Sequence, residues 1–68
     1  MTGLPGLKAT RKAKGLTLSA LARAVDLSSG YLWQVQSGLK DPSMDVLRRL
    51  CHRLECSPNE LLEAASHD

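Results

Sequence analysis

The sequence of 68 residues is poor in aromatic and β-branched side chains and has no long apolar run. It contains no phenylalanine, one tryptophan and one tyrosine, so any core must be aliphatic and mostly leucine. β-Branched residues never alternate with polar ones over a strand-length segment, which argues against a sheet. No segment approaches the length of a membrane span or has the form of a signal peptide. We therefore expect a cytoplasmic protein without a membrane partner.

Two cysteines, Cys51 and Cys56, are too few for the disulfide framework of a small secreted protein. Cys51 lies on the apolar stripe of a predicted helix, and we interpret it as a small buried hydrophobic residue. A metal site built from Cys51, His52, Cys56 and His67 would match no common zinc spacing. The sequence therefore predicts neither a bound metal nor a cofactor.

Charge is distributed unevenly along the chain, although the net charge is only +2. Residues 1–40 carry six basic residues and one acidic residue, a net charge of +5. Residues 41–68 carry three basic and six acidic residues, a net charge of −3. Such asymmetry is typical of a protein that meets a polyanion with one face. A solvated mixed surface explains the same distribution equally well.

Apolar spacing and turn residues predict five helices and no strand. The whole chain, residues 1–68, is expected to form one domain. Leu4 and Leu7 are expected to point inward, and residues 1–4 and 65–68 are expected to fray at the ends. The predicted helices cover residues 5–14, 18–25, 29–37, a segment after a Ser43 cap, and a segment after the capping box Ser57-Pro58-Asn59-Glu60.

Residues 17–38 predict two short helices joined by a tight turn. Each helix is preceded by a capping hydroxyl, Thr17 for the first and Ser28 for the second, and Gly38 ends the second. A helix, a turn and a second helix with a narrow buried face form a helix-turn-helix. The apolar stripes are Leu18, Leu21, Ala22 and Val25 in the first helix and Leu32 and Val35 in the second.

Turn, cap and core residues follow one regular pattern over a longer segment, residues 15–62. The matching positions are Gly15-Leu16-Thr17, Leu21-Ala22, Leu27-Ser28, Leu32, Val35, Ser37-Gly38, Asp41-Pro42-Ser43, Leu47, Leu50, Leu54 and Ser57-Pro58-Asn59-Glu60-Leu61-Leu62. With this pattern the chain resembles the lambda-repressor-like helix-turn-helix domain of Cro and repressor proteins. The resemblance implies an all-α, compact five-helix bundle that binds DNA, usually dimerises and represses transcription.

The resemblance implies that the outward face of the second helix reads DNA bases through Ser29, Gly30 and Gln34, with Trp33 on the same face. Gln34 can pair with adenine through two hydrogen bonds, and Ser29 can bond to either kind of base edge. Gly30 either permits a close approach of the backbone or reads nothing. Trp33 either covers a thymine methyl group or the sugar-phosphate edge, or it packs on a neighbouring element or a second subunit.

Phosphate contacts are implied for a second set of residues: Thr17, Leu18, Ser28, Tyr31, Ser37 and Lys40. Leu18 stands where the family commonly has glutamine, which removes one phosphate anchor and puts an apolar group near the DNA backbone. Tyr31 either donates to a phosphate or is a half-buried filler. Weaker candidates are Lys8, Arg11, Lys12, Lys14 and Arg23.

Two further departures from the family pattern are structurally benign. The turn between the helices commonly contains glycine, and Asp26 stands there instead, a residue that also tolerates positive φ. Gln36 stands where an acidic residue often pairs with an arginine of the first helix. We therefore expect a neutral hydrogen bond between Gln36 and Arg11 in place of an ion pair.

Together these patterns predict a sequence-specific DNA-binding transcriptional regulator of the repressor type, associated with the nucleoid in the cytoplasm. It is expected to bind double-stranded DNA at a two-fold-related operator as a homodimer. The alternative is a helix-turn-helix module that binds a protein partner through Trp33, Leu18 and Tyr31. No motif places a nucleophile beside a base, and no glycine loop cradles a phosphate. We therefore expect neither an enzyme nor a small-molecule substrate.

Overall fold

The computed structural model describes residues 3–63, which form five helices joined by short turns. In chain order the helices are α1 (Leu7–Ala13), α2 (Leu18–Ala24), α3 (Ser29–Gln36), α4 (Met44–Leu54) and α5 (Pro58–Leu62). None of residues 3–63 lies in a strand, so the predicted all-α five-helix bundle is confirmed. Within the same range, no helix is long and apolar enough to cross a membrane.

The core is aliphatic, as the lack of phenylalanine predicted. Every helix contributes at least one leucine without exposed surface, namely Leu7, Leu21, Leu32, Leu50, Leu54 and Leu61. Helices of five to eleven residues are unstable by themselves. Burial of each leucine contributes about 1.5–3 kcal/mol, so packing against the shared core holds the short helices in place.

Side-chain caps begin α2 to α5 at the predicted residues, whereas α1 begins after Gly6 without one. At α5, the Ser57 N–H donates to Glu60 Oε2 at 3.0 Å, which is half of the predicted capping box. Each cap satisfies a backbone donor that the helix itself leaves without a partner. The capping oxygens of α2, α3 and α4 are Thr17 Oγ1, Ser28 Oγ and Ser43 Oγ, which accept the N–H groups of Ala20, Tyr31 and Val46 at 3.1, 3.1 and 3.2 Å.

Four helices end on the same backbone arrangement, in which a residue with positive φ reverses the chain. These residues are Gly15 (φ 72°), Asp26 (φ 61°), Gly38 (φ 86°) and Glu55 (φ 54°). Asp26 therefore fills the turn position as expected. This arrangement is the Schellman motif, which satisfies carbonyl groups at the helix end. The closing hydrogen bonds run from Leu16 N–H to the Arg11 carbonyl at 3.1 Å, from Leu27 N–H to Ala22 at 2.8 Å, from Leu39 N–H to Gln34 at 2.8 Å and from Cys56 N–H to Cys51 at 3.1 Å.

The N-terminal segment, residues 3–6, is anchored, and the expected fraying of residues 1–4 is therefore wrong for Gly3 and Leu4. The Gly3 N–H donates to Asp41 Oδ1 at 2.8 Å, and the Leu4 N–H donates to the Val35 carbonyl at 2.9 Å. Leu4 has no exposed surface, as expected from its inward position. Residues 1–2 and 64–68 lie outside the described residues, so their fraying stays a prediction.

Helix α1 begins at Leu7, two residues later than predicted, because Gly6 lies directly against α5. The Gly6 N–H donates to the Leu61 carbonyl at 2.9 Å. A Cβ atom at Gly6 would lie 2.1 Å from the carbonyl oxygen of Glu60 and 2.5 Å from that of Glu63. Both neighbours are backbone atoms, so this position has no room for a side chain. The ends of α2 and α3 fall one residue before the predicted ends.

Substitution of Gly6 by alanine is expected to lower the free energy of unfolding by about 2 kcal/mol, because the methyl group must displace the backbone of α5. Gly30→Ala is the matched control, since a Cβ atom there meets no atom within 4 Å. The control is expected to raise the free energy of unfolding by about 0.5–1 kcal/mol through helix propensity. Urea denaturation followed by circular dichroism measures both. Equal effects of the two substitutions would contradict the close packing of Gly6.

Candidate nucleic-acid interface

Helices α2 and α3 pack against each other across the Asp26 turn and form the predicted helix-turn-helix. Leu21 and Ala22 of α2 are buried, as are Leu32 and Val35 of α3. Leu32 and Val35 are the only buried residues of α3. The opposite side of α3 is therefore free of the core and forms an outward face on a fixed support.

Three of the four residues predicted to read bases are exposed on this outward face. Ser29 and Gly30 are exposed, and half of the surface of Trp33 is accessible (50%). Gln34 shares this face by its position on the helix, but its side chain is half-buried. The structure thus brings the four residues together on one helix. Their contacts with bases stay predictions.

The residues predicted to contact phosphates divide into two kinds. Thr17 and Ser28 use their hydroxyl oxygens as caps, yet each hydroxyl retains an O–H donor that can face a phosphate. Ser37 is exposed just after the last residue of α3. Leu18 is half-buried and packs against the core. Its side chain therefore contributes to the fold, and its place near a DNA backbone stays a prediction.

Tyr31 and Lys40 meet at the side of α3. Tyr31 is half-buried against the core, and Lys40 Nζ lies 5.9 Å from the centroid of its ring, a cation–π contact. The N–H groups of Leu39 and Lys40 both donate to the Gln34 carbonyl, at 2.8 and 3.2 Å. The loop after α3 is thereby fixed, and it holds the exposed Lys40 beside the outward face.

Arg11 is the one buried charged residue among residues 3–63. Its Nε and Nη2 donate to Gln36 Oε1 at 3.2 and 3.1 Å, and its Nη1 donates to the Leu16 carbonyl at 2.9 Å. The expected neutral hydrogen bond between Arg11 and Gln36 is confirmed. Because these donors are engaged inside the fold, Arg11 is excluded as a phosphate contact. The other weaker candidates are exposed: Lys8, Lys12, Lys14 and Arg23.

Asp41 supports the loop that carries Lys40, a role that the sequence did not predict. Its carboxylate accepts the Gly3 N–H and so fastens the N-terminal segment to the end of this loop. The local signal is the turn sequence Asp41-Pro42, since an aspartate in a turn readily accepts a backbone N–H. The partner lies 38 positions away along the chain, and no local pattern identifies it.

The two cysteines lie at the end of α4: Cys51 is in its last turn, and Cys56 follows its last residue by two positions. Both are half-buried, so Cys51 is only partly the buried hydrophobic residue that we expected. Burial raises the pKa of both thiols, that of Cys56 to about 11. Among residues 3–63 no group of three or more His, Cys, Asp or Glu side chains could hold a metal ion. His67 of the candidate metal cluster lies outside this range.

The chain matches a family model described as a helix-turn-helix domain over residues 6–64, which include all five helices. It therefore belongs to this helix-turn-helix family. The resemblance to Cro and repressor domains is confirmed by the DNA-binding domain of the P22 c2 repressor, solved by nuclear magnetic resonance. That structure is 31% identical with a TM-score of 0.77, and the match covers 91% of this chain and 84% of that one.

Two other relatives are regulators named ClgR. The transcriptional regulator ClgR of Mycobacterium tuberculosis is 33% identical over 49 residues, which are 72% of this chain and 44% of that protein. The crystal structure of the clp gene regulator ClgR from Corynebacterium glutamicum is 38% identical with a TM-score of 0.77. That match covers 84% of this chain and 61% of the other. The present chain thus spans less than two thirds of either ClgR protein.

Replacement of Gln36 by glutamate is expected to raise the free energy of unfolding at pH 7 by about 1–2 kcal/mol, because the buried guanidinium of Arg11 gains a counter-charge. This contact lowers the pKa of the introduced carboxyl in the folded state. The gain is therefore present above the unfolded pKa of about 4.3 and is lost as the pH falls through the folded pKa.

Urea denaturation at a series of pH values from neutral to acidic measures this gain. Gln34→Glu is the matched control, because it introduces the same charge on α3 at a position without a bound arginine. The control is expected to show no comparable gain. Equal stabilisation by both substitutions, or a gain that persists in acid, would contradict the assignment to Arg11.

Proposed function

We propose that this chain is a sequence-specific DNA-binding transcriptional regulator that inserts α3 into the major groove. One observation carries the proposal: α3 buries only Leu32 and Val35, and its opposite side stays exposed on a helix-turn-helix support. The major groove is about 12 Å wide and admits one α-helix with its side chains. The likeness to the DNA-binding domain of a repressor supports the same function.

Gln34 is the principal base reader in this proposal. The amide of Gln36, the other long polar side chain of α3, is bound to Arg11, so Gln34 is the one that remains available. It pairs with adenine through two hydrogen bonds, while Ser29 bonds to either kind of base edge. Gly30 lets the helix backbone approach the bases closely. Trp33 covers a thymine methyl group or the sugar-phosphate edge.

Phosphates on both sides of the groove position the helix. The hydroxyls of Thr17 and Ser28 stand at the beginnings of α2 and α3, and Ser37 stands at the end of α3. Lys40 adds a positive charge beside the ring of Tyr31, whose hydroxyl donates to the same phosphate. Leu18 contributes its backbone N–H only, because its side chain packs against the core. Phosphate contacts of this kind fix register and orientation.

The active species is a homodimer on a two-fold-related operator, and it represses transcription by occluding the polymerase. A single α3 offers few base contacts, each worth about 1–3 kcal/mol. That is too little against roughly 10⁶–10⁹ competing genomic sites. Two copies double the discrimination and require half-sites about 34 Å apart. The acidic residues 41–68 are the candidate interface between subunits, because their net charge of −3 repels DNA.

A second candidate function is the binding of a protein partner, and one observation favours it. Trp33, Leu39 and Met44 are exposed by 50%, 64% and 68% although they are large and apolar. Leu18 and Tyr31, which we expected in this surface, pack against the core instead. A protein partner would therefore contact Trp33 with the loop and the start of α4. A binding affinity that does not change with salt concentration would favour a protein partner over DNA.

Substitution of Gln34 by alanine is expected to weaken binding to the best operator by about 1–3 kcal/mol and to relax the preference at one base pair per half-site. The operator is first obtained by selection from a random DNA pool, and affinities are measured by fluorescence anisotropy. Thr10→Ala removes a polar side chain from α1, outside the outward face and the candidate subunit interface, and is the control, with no effect expected. If Gln34→Ala binds every sequence as the unmodified protein does, Gln34 reads no base.

Substitution of Lys40 by alanine is expected to make the dependence of log affinity on log salt shallower by about 0.9 per subunit, without a change in base preference. The measurement is a salt titration of operator binding. Arg53→Ala removes the same charge from the exposed surface of α4, within the candidate subunit interface. It is expected to leave the slope unchanged, whatever its effect on the affinity, because it removes no phosphate contact. An identical slope for both variants would remove Lys40 from the phosphate contacts.

Insertion of five base pairs between the half-sites is expected to abolish tight binding, because it turns one copy of α3 to the wrong face of the DNA. Exchange of the central base pairs for others without a change in length is the control and should leave the two half-sites in phase and most of the affinity intact. Gel-shift titration of the three operators measures the effect. Unchanged affinity for the operator with the insertion would show that the chain binds as independent monomers.

A further inference from the structure

The end of α4 brings the side chains of Cys51 and Cys56 together through its backbone. Glu55 has φ 54°, the Cys56 N–H donates to the Cys51 carbonyl at 3.1 Å, and the Glu55 N–H donates to the His52 carbonyl at 3.3 Å. In a Schellman motif the two residues five positions apart, here Cys51 and Cys56, frequently also contact through their side chains. The five-residue spacing of the cysteines is the spacing that this motif needs.

The same motif occurs at the ends of α1, α2 and α3, and the comparison shows what is distinct about α4. The corresponding pairs are Arg11 with Leu16, Ala22 with Leu27 and Gln34 with Leu39. Each of those pairs combines a leucine with alanine or with a long polar side chain. Only at α4, among the Schellman motifs of residues 3–63, do two groups capable of forming a covalent bond occupy the paired positions.

The surroundings keep the two thiols protonated and close to each other. Both sulfur-bearing side chains are half-buried and pack against the edge of the core. Burial raises the pKa of Cys51, and the neighbouring Cys56 side chain lowers it by less. Glu60 of α5 raises the pKa of both thiols, and Lys14 after α1 lowers that of Cys56.

We propose that Cys51 and Cys56 form a dithiol modification site that hydrogen peroxide closes to an intramolecular disulfide. The Cys51 thiolate attacks one peroxide oxygen, the O–O bond breaks, and a sulfenic acid and one water are formed after protonation. The Cys56 sulfur then attacks the Cys51 sulfur and displaces the hydroxyl as a second water. In sum, two thiols are oxidised by two electrons to one disulfide, and one peroxide is reduced to two waters.

The disulfide would fasten the end of α4 to the residue before the cap of α5. Helix α5 has only five residues and holds the N-terminal segment through the hydrogen bond from Gly6 to Leu61. A cross-link at this point restrains the unfolded chain. Oxidation is therefore expected to stabilise the folded domain. This inference does not depend on DNA binding.

The test treats the full reduced chain at low micromolar concentration with a small excess of hydrogen peroxide. Intact mass spectrometry is expected to show the loss of two hydrogens, and alkylation with iodoacetamide is expected to find no free thiol. The oxidised chain should remain a single chain on a non-reducing gel, with a Tm about 5 °C or more above that of the reduced chain. The oxidation rate should rise with pH above neutrality, because the thiolate reacts.

Cys51→Ser and Cys56→Ser are the matched variants, each with one thiol, and neither can lose two hydrogens within one chain. A second measurement needs no variant: the equilibrium with oxidised glutathione is compared for the folded chain and for the chain in urea. The folded chain is expected to close its disulfide at a lower oxidant ratio. The proposal is overturned if folding does not favour closure, if the Tm falls on oxidation, or if the product is an intermolecular disulfide or a sulfinic acid.

Discussion

The arrangement of α3 depends on one buried charge, the guanidinium of Arg11. Its donors are engaged by the Gln36 amide oxygen and the Leu16 carbonyl, and residues 3–63 contain no buried side-chain polar atom without a partner. A buried charge that loses its partners costs several kcal/mol. The contact therefore holds α1, the turn after it at Leu16 and the last turn of α3 in fixed positions relative to one another. Gln36, on the inner side of α3, thus fixes the orientation of the outward face through Arg11.

The same need for hydrogen-bond partners applies to the backbone at the helix ends. In helices of five to eleven residues, most backbone donors and acceptors lie in the first or last turn. Caps and left-handed end residues consequently matter more here than helix propensity. Glu55 illustrates the point, since a residue with a Cβ atom accepts a strained φ so that the carbonyls of His52 and Cys51 find donors. That closure is also what juxtaposes the two thiols.

Most of the fold could be predicted because its signals are local. Helix spacing, capping hydroxyls and turn residues lie within a few positions of one another, and the predicted starts of α2 and α3 are the observed ones. The anchoring of the N-terminal segment could not be predicted, because Gly3 and its acceptor Asp41 are 38 positions apart. The Arg11–Gln36 contact spans 25 positions and was expected only through the family resemblance. The half-burial of Gln34 was missed for a different reason, since it depends on how the following loop folds back on the end of α3.

Under the proposed function, the small residues at the start of α3 determine how the helix reads DNA. Ser29 and Gly30 place little side-chain volume on the outward face, and nothing in the protein approaches Gly30. The helix backbone can therefore come closer to the base edges there than a helix with long side chains would. Contact then shifts to Trp33 and Gln34 in the middle of α3, of which one is apolar and one is half-buried. A face with so few polar readers gains specificity from duplication and from the shape of the groove more than from hydrogen bonds.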